Sequence, residues 1–113
     1  VTRSGADIAA DLLDAIEVVE RLVAGGRDRF LTDRVSQYAA EAALGRIGDA
    51  AQKLIQKYPD QLPAGVPWKD IIGQRIMVDH IYHRLDYTVV WNTLTKDVPA
   101  LKAALDDWEP PEE

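Results

Sequence analysis

The feature that most constrains this chain is the spacing of its apolar residues. Ile8, Leu12, Ile16, Val19 and Val23 recur at steps of three and four. That period puts them on one face of a helix, with Asp7, Asp11, Asp14, Glu17 and Glu20 turned away. No segment shows the strict alternation of a half-buried strand, and no hairpin turn sits between two such runs. The pattern therefore predicts an all-α chain.

Punctuation divides it into four helical stretches. The first runs from about Ser4 to Ala24 and ends at "GGRDRF", where paired glycines suit a C-cap and turn. The second starts at Asp33, a good N-cap residue, and reaches about Lys57. Val35, Tyr38, Ala42, Ile47, Ala51 and Ile55 are assigned to its apolar face. Gly45 and Gly48 weaken it intrinsically and would let another helix come close. "YPDQLPAGVPWK" reads as a loop. Pro67 then opens a third helix that extends to about His83. Asp86 caps a fourth carrying Val89, Val90, Leu94, Val98, Leu101 and Leu105, and Pro99 kinks it or starts a short fifth helix capped by Asp97. The expected architecture is an antiparallel four-helix bundle. It forms one domain over residues 1–108, with an acidic disordered tail at 109–113.

At 113 residues the chain suffices for one domain. Its net charge of -6 argues against loose, whole-surface binding to nucleic acid or to anionic membrane, and leaves room for a local basic cleft. With no cysteine there are no disulfides and no thiolate metal sites. The N-terminal apolar run carries acids throughout, so it reads as neither signal peptide nor membrane span. A cytoplasmic protein is expected, with no membrane association.

Chemistry concentrates in "RIMVDHIYHRLDY", residues 75–87. His80 and His83, with Asp79 nearby, lack a clear third ligand, so neither metal nor other cofactor is expected. Arg75 offers a fixed fork of donors to a phosphate. His80 takes or gives a proton near neutral pH. Tyr82 stacks on a base or bonds a phosphate. These are the groups that RNA cleavage needs when the substrate's own 2′-hydroxyl is the nucleophile. On one straight helix Arg75 and His80 lie about 140° apart. A twofold dimer, or a break after Asp79, would bring them to one atom. From composition and spacing alone the plainer reading leads: Arg75–Asp79 a solvated helix pair, His80 a surface histidine, Tyr82 a half-buried core residue.

"RIMVDHIY" fits R-x-x-x-x-H-x-Y and resembles the signature of HepT-like toxins of the HEPN superfamily. The flanks agree. "VPWKDIIGQR" resembles the proline-tryptophan start of the motif helix. "LDYTVVWNTLTKDVPAL" resembles the end of the family's domain, and "RIGDAA" a stretch of its second helix. The resemblance implies an all-α homodimer with a composite cleft that cleaves RNA without metal. Arg75 and His80 would be catalytic, and Asp79, His83 and Arg84 would support them. It also implies a nucleotidyltransferase antitoxin of the MNT type, which silences the toxin by transferring AMP to Tyr82. One position departs: Ile76 stands where family members usually carry a polar residue. A catalytically weak helical module that binds the nucleotidyltransferase is the alternative. Between Pro67 and Asp86 the charges balance, Asp70, Asp79 and Asp86 against Lys69, Arg75 and Arg84. RNA affinity is therefore expected to be weak and salt-sensitive.

Overall fold

A computed structural model describes residues 3–73 and 86–111. Every regular element among them is helical, as the apolar period predicts. Helix α1 spans Gly5–Ala24, and the Ser4 hydroxyl accepts from the Asp7 amide at 3.1 Å to cap its start. Ile8, Leu12, Ala15, Ile16 and Val19 are buried along its inner face.

The turn at Gly25–Gly26 is shorter than expected. Gly26 takes φ +91°, which favours glycine, and "RDRFLT" then coils into α2, Arg27–Thr32. The sequence reading counted these residues as loop. One buried ring, Phe30, holds this single turn and a half in place, and six residues are too few to show an apolar period.

Helix α3, Arg34–Lys57, begins where expected, with Asp33 accepting from the Ser36 amide at 3.2 Å and the Ser36 hydroxyl at 2.6 Å. Its buried face is a correction to the sequence reading. Ala40, Ala43, Leu44, Ile47, Gly48, Ala50, Ala51 and Leu54 point inward. Val35 and Tyr38 are 76 % and 57 % exposed, Ala42 is exposed and Ile55 half-buried. Alanines outnumber large side chains on this face, so hydrophobic size misleads about its direction. Small residues let α1 and α3 pack closely. Gly48 is buried in keeping with that, whereas a side chain at Gly45 would meet nothing within 4 Å.

The loop from Tyr58 returns the chain to the start of α1. A Cβ on Gly5 would lie 2.3 Å from the Tyr58 hydroxyl, so the ring needs glycine there. Trp108 meets Tyr58 edge-on at 5.9 Å and donates its indole N–H to the Gln61 carbonyl at 2.9 Å. Residues 68–73 are helical after Pro67, whose carbonyl accepts from the Ile71 amide. The expected continuation to His83 lies outside the described residues.

Helix α4, Tyr87–Asn92, starts at Asp86 as predicted, the carboxylate accepting from the Thr88 amide at 3.0 Å. Beyond it the irregularity expected around Pro99 takes the form of a widened turn. Residues Thr93–Asp97 form a π-helical turn that leads directly into α5, Val98–Asp106. The Val98 amide reaches back five residues to the Thr93 carbonyl. Pro99 lacks an N–H and cannot fit a regular mid-helix ladder, and one widened turn accommodates it without breaking the helix. The short fifth helix expected at Pro99 is thus present, with Asp97 at its start in helical conformation and making no side-chain capping hydrogen bond. Val90, Leu94, Val98, Leu101 and Leu105 are buried, closing one core with α1, α2 and α3. Among the described residues no helix is long and apolar enough to cross a membrane.

Candidate active site

Arg75, Ile76, Asp79, His80, Tyr82, His83 and Arg84 all lie at positions 74–85, outside the described residues. The structure instead gives the frame from which that segment departs and to which it returns.

The returning flank is latched from two sides. Asp86 holds the Thr88 amide and hydroxyl, and these bonds keep its carboxyl below the usual range. Next to it, Tyr87 donates its hydroxyl to Glu41 of α3 at 2.8 Å. Its ring meets Phe30 of α2 edge-on at 6.1 Å. Phe30 also packs on Trp91 at 5.4 Å. Burial, with the Glu41 carboxylate as acceptor, pushes the Tyr87 phenol up to about 12. The first residues after the motif are thus fixed to α2 and α3 by aromatic packing and one charge-assisted hydrogen bond. On the departing flank, Ile71 is buried, and Trp68 and Ile72 pack against the core.

Between the flanks lies an open cleft of about 380 Å³. Lys69, Asp70 and Gly73 form one wall. Val89, Asn92, Thr93, Lys96 and Asp97 form the other. Gly73, the last described residue before the motif, stands on one lip of this cleft, and Asp86, the first after it, comes three residues before Val89 on the other. Burial raises the Asp97 carboxyl above its usual range, neighbouring Asp70 adds to that, and Lys96 pulls it back. No grouping of three or more metal-ligating side chains occurs among the described residues.

Sequence reasoning did not find this cleft. Asp97 was assigned to a helix cap, and Lys69, Asn92 and Lys96 carry no motif. The available signal was Pro99 in the middle of an apolar period, which foretells an irregular turn two to six residues earlier. A second cluster also went unread. Arg34 donates to the Tyr38 hydroxyl at 2.7 Å with its guanidinium over the ring, and that bond raises the arginine further.

Comparison with known proteins covers nearly the whole chain. The family model described as ribonuclease HepT-like matches residues 12–107. A protein named as a putative RNase from Methanocaldococcus jannaschii is 30% identical over 85% of this chain and 91% of its own length. One named as a probable ribonuclease HepT from Thermococcus cleftensis is 32% identical over 88% of this chain and 91% of its own. One named as a putative RNase from Caldanaerobacter subterraneus is 31% identical over 75% of each. No solved structure gives a significant match. The matched region takes in α1 from Leu12 onward, the later helices and both flanks of the motif: the chain belongs to the HepT-like ribonuclease family.

Proposed function

We propose that the chain is the toxin of a toxin–antitoxin pair, a metal-independent endoribonuclease that acts as a homodimer in the cytoplasm. The observation that carries this reading is the R-x-x-x-x-H-x-Y run, Arg75 to Tyr82, set inside a family match that extends over residues 12–107. In the dimer Arg75 neutralises the non-bridging oxygens of the scissile phosphate. His80 takes the proton of the 2′-hydroxyl as that oxygen attacks phosphorus, and the bond to the 5′-oxygen breaks. The products are a 2′,3′-cyclic phosphate and a 5′-hydroxyl, the proton that His80 took passing, directly or through water, to the leaving 5′-oxygen. Asp79, His83 and Arg84 support these groups.

An MNT-type nucleotidyltransferase would act as antitoxin. The Tyr82 phenol attacks the α-phosphate of ATP, pyrophosphate leaves, and AMP stays on the tyrosine. The added bulk and negative charge then occupy the place of substrate phosphate. One observation favours a second reading. Ile76 removes a polar side chain beside Arg75, which suits a module that binds the nucleotidyltransferase without cleaving RNA.

Growth on inducing the chain alone, beside His80→Ala and Tyr82→Phe at equal level, separates the two. Arrest that needs His80, with discrete RNA cuts ending in cyclic phosphate, supports the ribonuclease. A soluble, harmless chain that still binds a nucleotidyltransferase supports the module.

A further inference from the structure

Asp97 stands at the start of α5 and caps nothing. Its carboxylate is part-buried, has Asp70 close by, and makes no capping hydrogen bond. Among the described residues no hydrogen bond or salt bridge to it is found, and Lys96 is its nearby cation. A part-buried carboxylate that has no donor among the described residues is open to donors from a ligand. The π turn keeps Asp97 on the cleft side together with Asn92, Thr93 and Lys96, and such turns recur at functional sites.

The rest of the cleft suits a planar, hydrogen-bonding ligand. Val89, 41 % exposed, offers an apolar surface at the rim. Gly73 opposite it carries no side chain, and a Cβ there would meet nothing. Asn92 offers one donor group and one acceptor. Lys69 and Lys96 hold no salt bridge among the described residues, unlike Arg3, Arg21, Lys53 and Lys102, which are tied to Asp11, Glu17, Asp49 and Glu20. A volume of about 380 Å³ holds a nucleobase and its sugar.

We propose that this cleft is a base-recognition subsite that selects guanine in the RNA next to the cut, with Asp97 as its specificity-determining residue. The inference rests on the ribonuclease reading above. One carboxylate accepts two parallel hydrogen bonds from the N1–H and N2–H groups of guanine's Watson–Crick edge. Adenine and cytosine place one amino group beside an acceptor that would face the carboxylate, and uracil brings a single N–H between two carbonyls. Asn92 serves the same edge or the sugar. Lys69 and Lys96 meet the adjoining phosphates. Single-stranded RNA exposes that edge, and both cleft walls adjoin the described flanks of the motif.

The test is NMR titration of the full chain with GMP, AMP, CMP and UMP at equal concentrations, repeated on Asp97→Asn and Asn92→Ala. GMP should shift cleft resonances at the lowest concentration, and Asp97→Asn should weaken it roughly tenfold or more relative to the other three. Asn92→Ala, on the exposed side, supplies a second variant should Asp97→Asn misfold. Equal binding of all four nucleotides, no binding, or GMP binding indifferent to both substitutions overturns the subsite. Cleavage of a random-sequence RNA pool by the parent separates the two readings. A parent that binds GMP through Asp97 yet cuts nothing keeps the subsite and removes the ribonuclease. A parent that cuts RNA but shows none of the GMP preference does the reverse.

Discussion

Replacing Tyr87 by phenylalanine removes one oxygen and tests how the motif's returning flank is held. The phenol donates to Glu41 at 2.8 Å, and its pKa rises from 10.0 to about 12. The sign follows from linkage: the folded chain favours the protonated phenol, so its contribution is full below pH 10 and is lost as pH climbs towards 12. At about 1.4 kcal/mol per tenfold, the full shift amounts to about 2.7 kcal/mol. The ring is only half-buried, so solvent screening reduces this to roughly 1–2 kcal/mol. At pH 8, where the phenol is protonated in both states, urea unfolding should find Tyr87→Phe less stable by the worth of one hydrogen bond to a carboxylate, roughly 1–2 kcal/mol. The gap should fall as pH rises to 11.5, because the phenol is then ionised in the unfolded chain and largely protonated in the folded one, and the fall is the screened linkage energy. The other tyrosines and the lysines titrate in both proteins and cancel in the difference. A gap that stays constant from pH 8 to pH 11.5 would mean the hydroxyl is solvated and the latch to α3 does not exist.

Other substitutions probe the frame elsewhere. Phe30→Ala removes the ring shared by α2, Tyr87 and Trp91 and should cost about 3–5 kcal/mol by chemical denaturation; a loss under about 1 kcal/mol would show that α2 is held by other contacts. Gly5→Ala drives a methyl to 2.3 Å from the Tyr58 hydroxyl and should cost roughly 1–3 kcal/mol, with the fluorescence of Trp108 changing as its partner ring moves. Asp97→Asn should raise the melting temperature near neutral pH. The folded chain disfavours the ionised carboxylate, so the parent loses stability as pH rises through Asp97's raised range and the variant does not. Melting curves with the same pH dependence for both proteins would remove Asp97 from the desolvated cleft.

Much of this frame is legible in the sequence, and the failures have physical reasons. Ser4, Asp33 and Asp86 each stand as a polar residue before an apolar period, and each caps a helix. Capping is local, so local sequence suffices. The inner face of α3 was not legible because packing there selects for small residues, and Ala40, Ala43 and Ala50 carry little hydrophobic signal beside Val35 and Tyr38. Helix α2 depends on one ring finding Tyr87 and Trp91, nearly sixty residues away. The R-x-x-x-x-H-x-Y run is plain in the sequence. The cleft beside it is not, since Lys69 and Asp70 come from one segment and Asn92 to Asp97 from another, and only the fold brings them together.

Charge gives the frame a direction. The net -6 would repel RNA if it were spread evenly. Much of it lies on α1, where Asp7, Asp11, Asp14, Glu17 and Glu20 are all exposed. Arg3, Arg21 and Lys102 are spent on that acidic face, in pairs with Asp11, Glu17 and Glu20. No α1 residue lines the cleft between the motif's flanks, where Lys69 and Lys96 stand against Asp70 and Asp97 and the charges balance. A polyanion approaching the bundle is thus repelled at α1 and meets a neutral surface at the cleft. Such selection by field needs few contacts and is screened by salt. Raising ionic strength should therefore weaken RNA binding at the cleft, with a slope no steeper than two lysines per chain give. A steep salt dependence, like that of a protein neutralising many phosphates, would place the RNA on a surface other than this cleft.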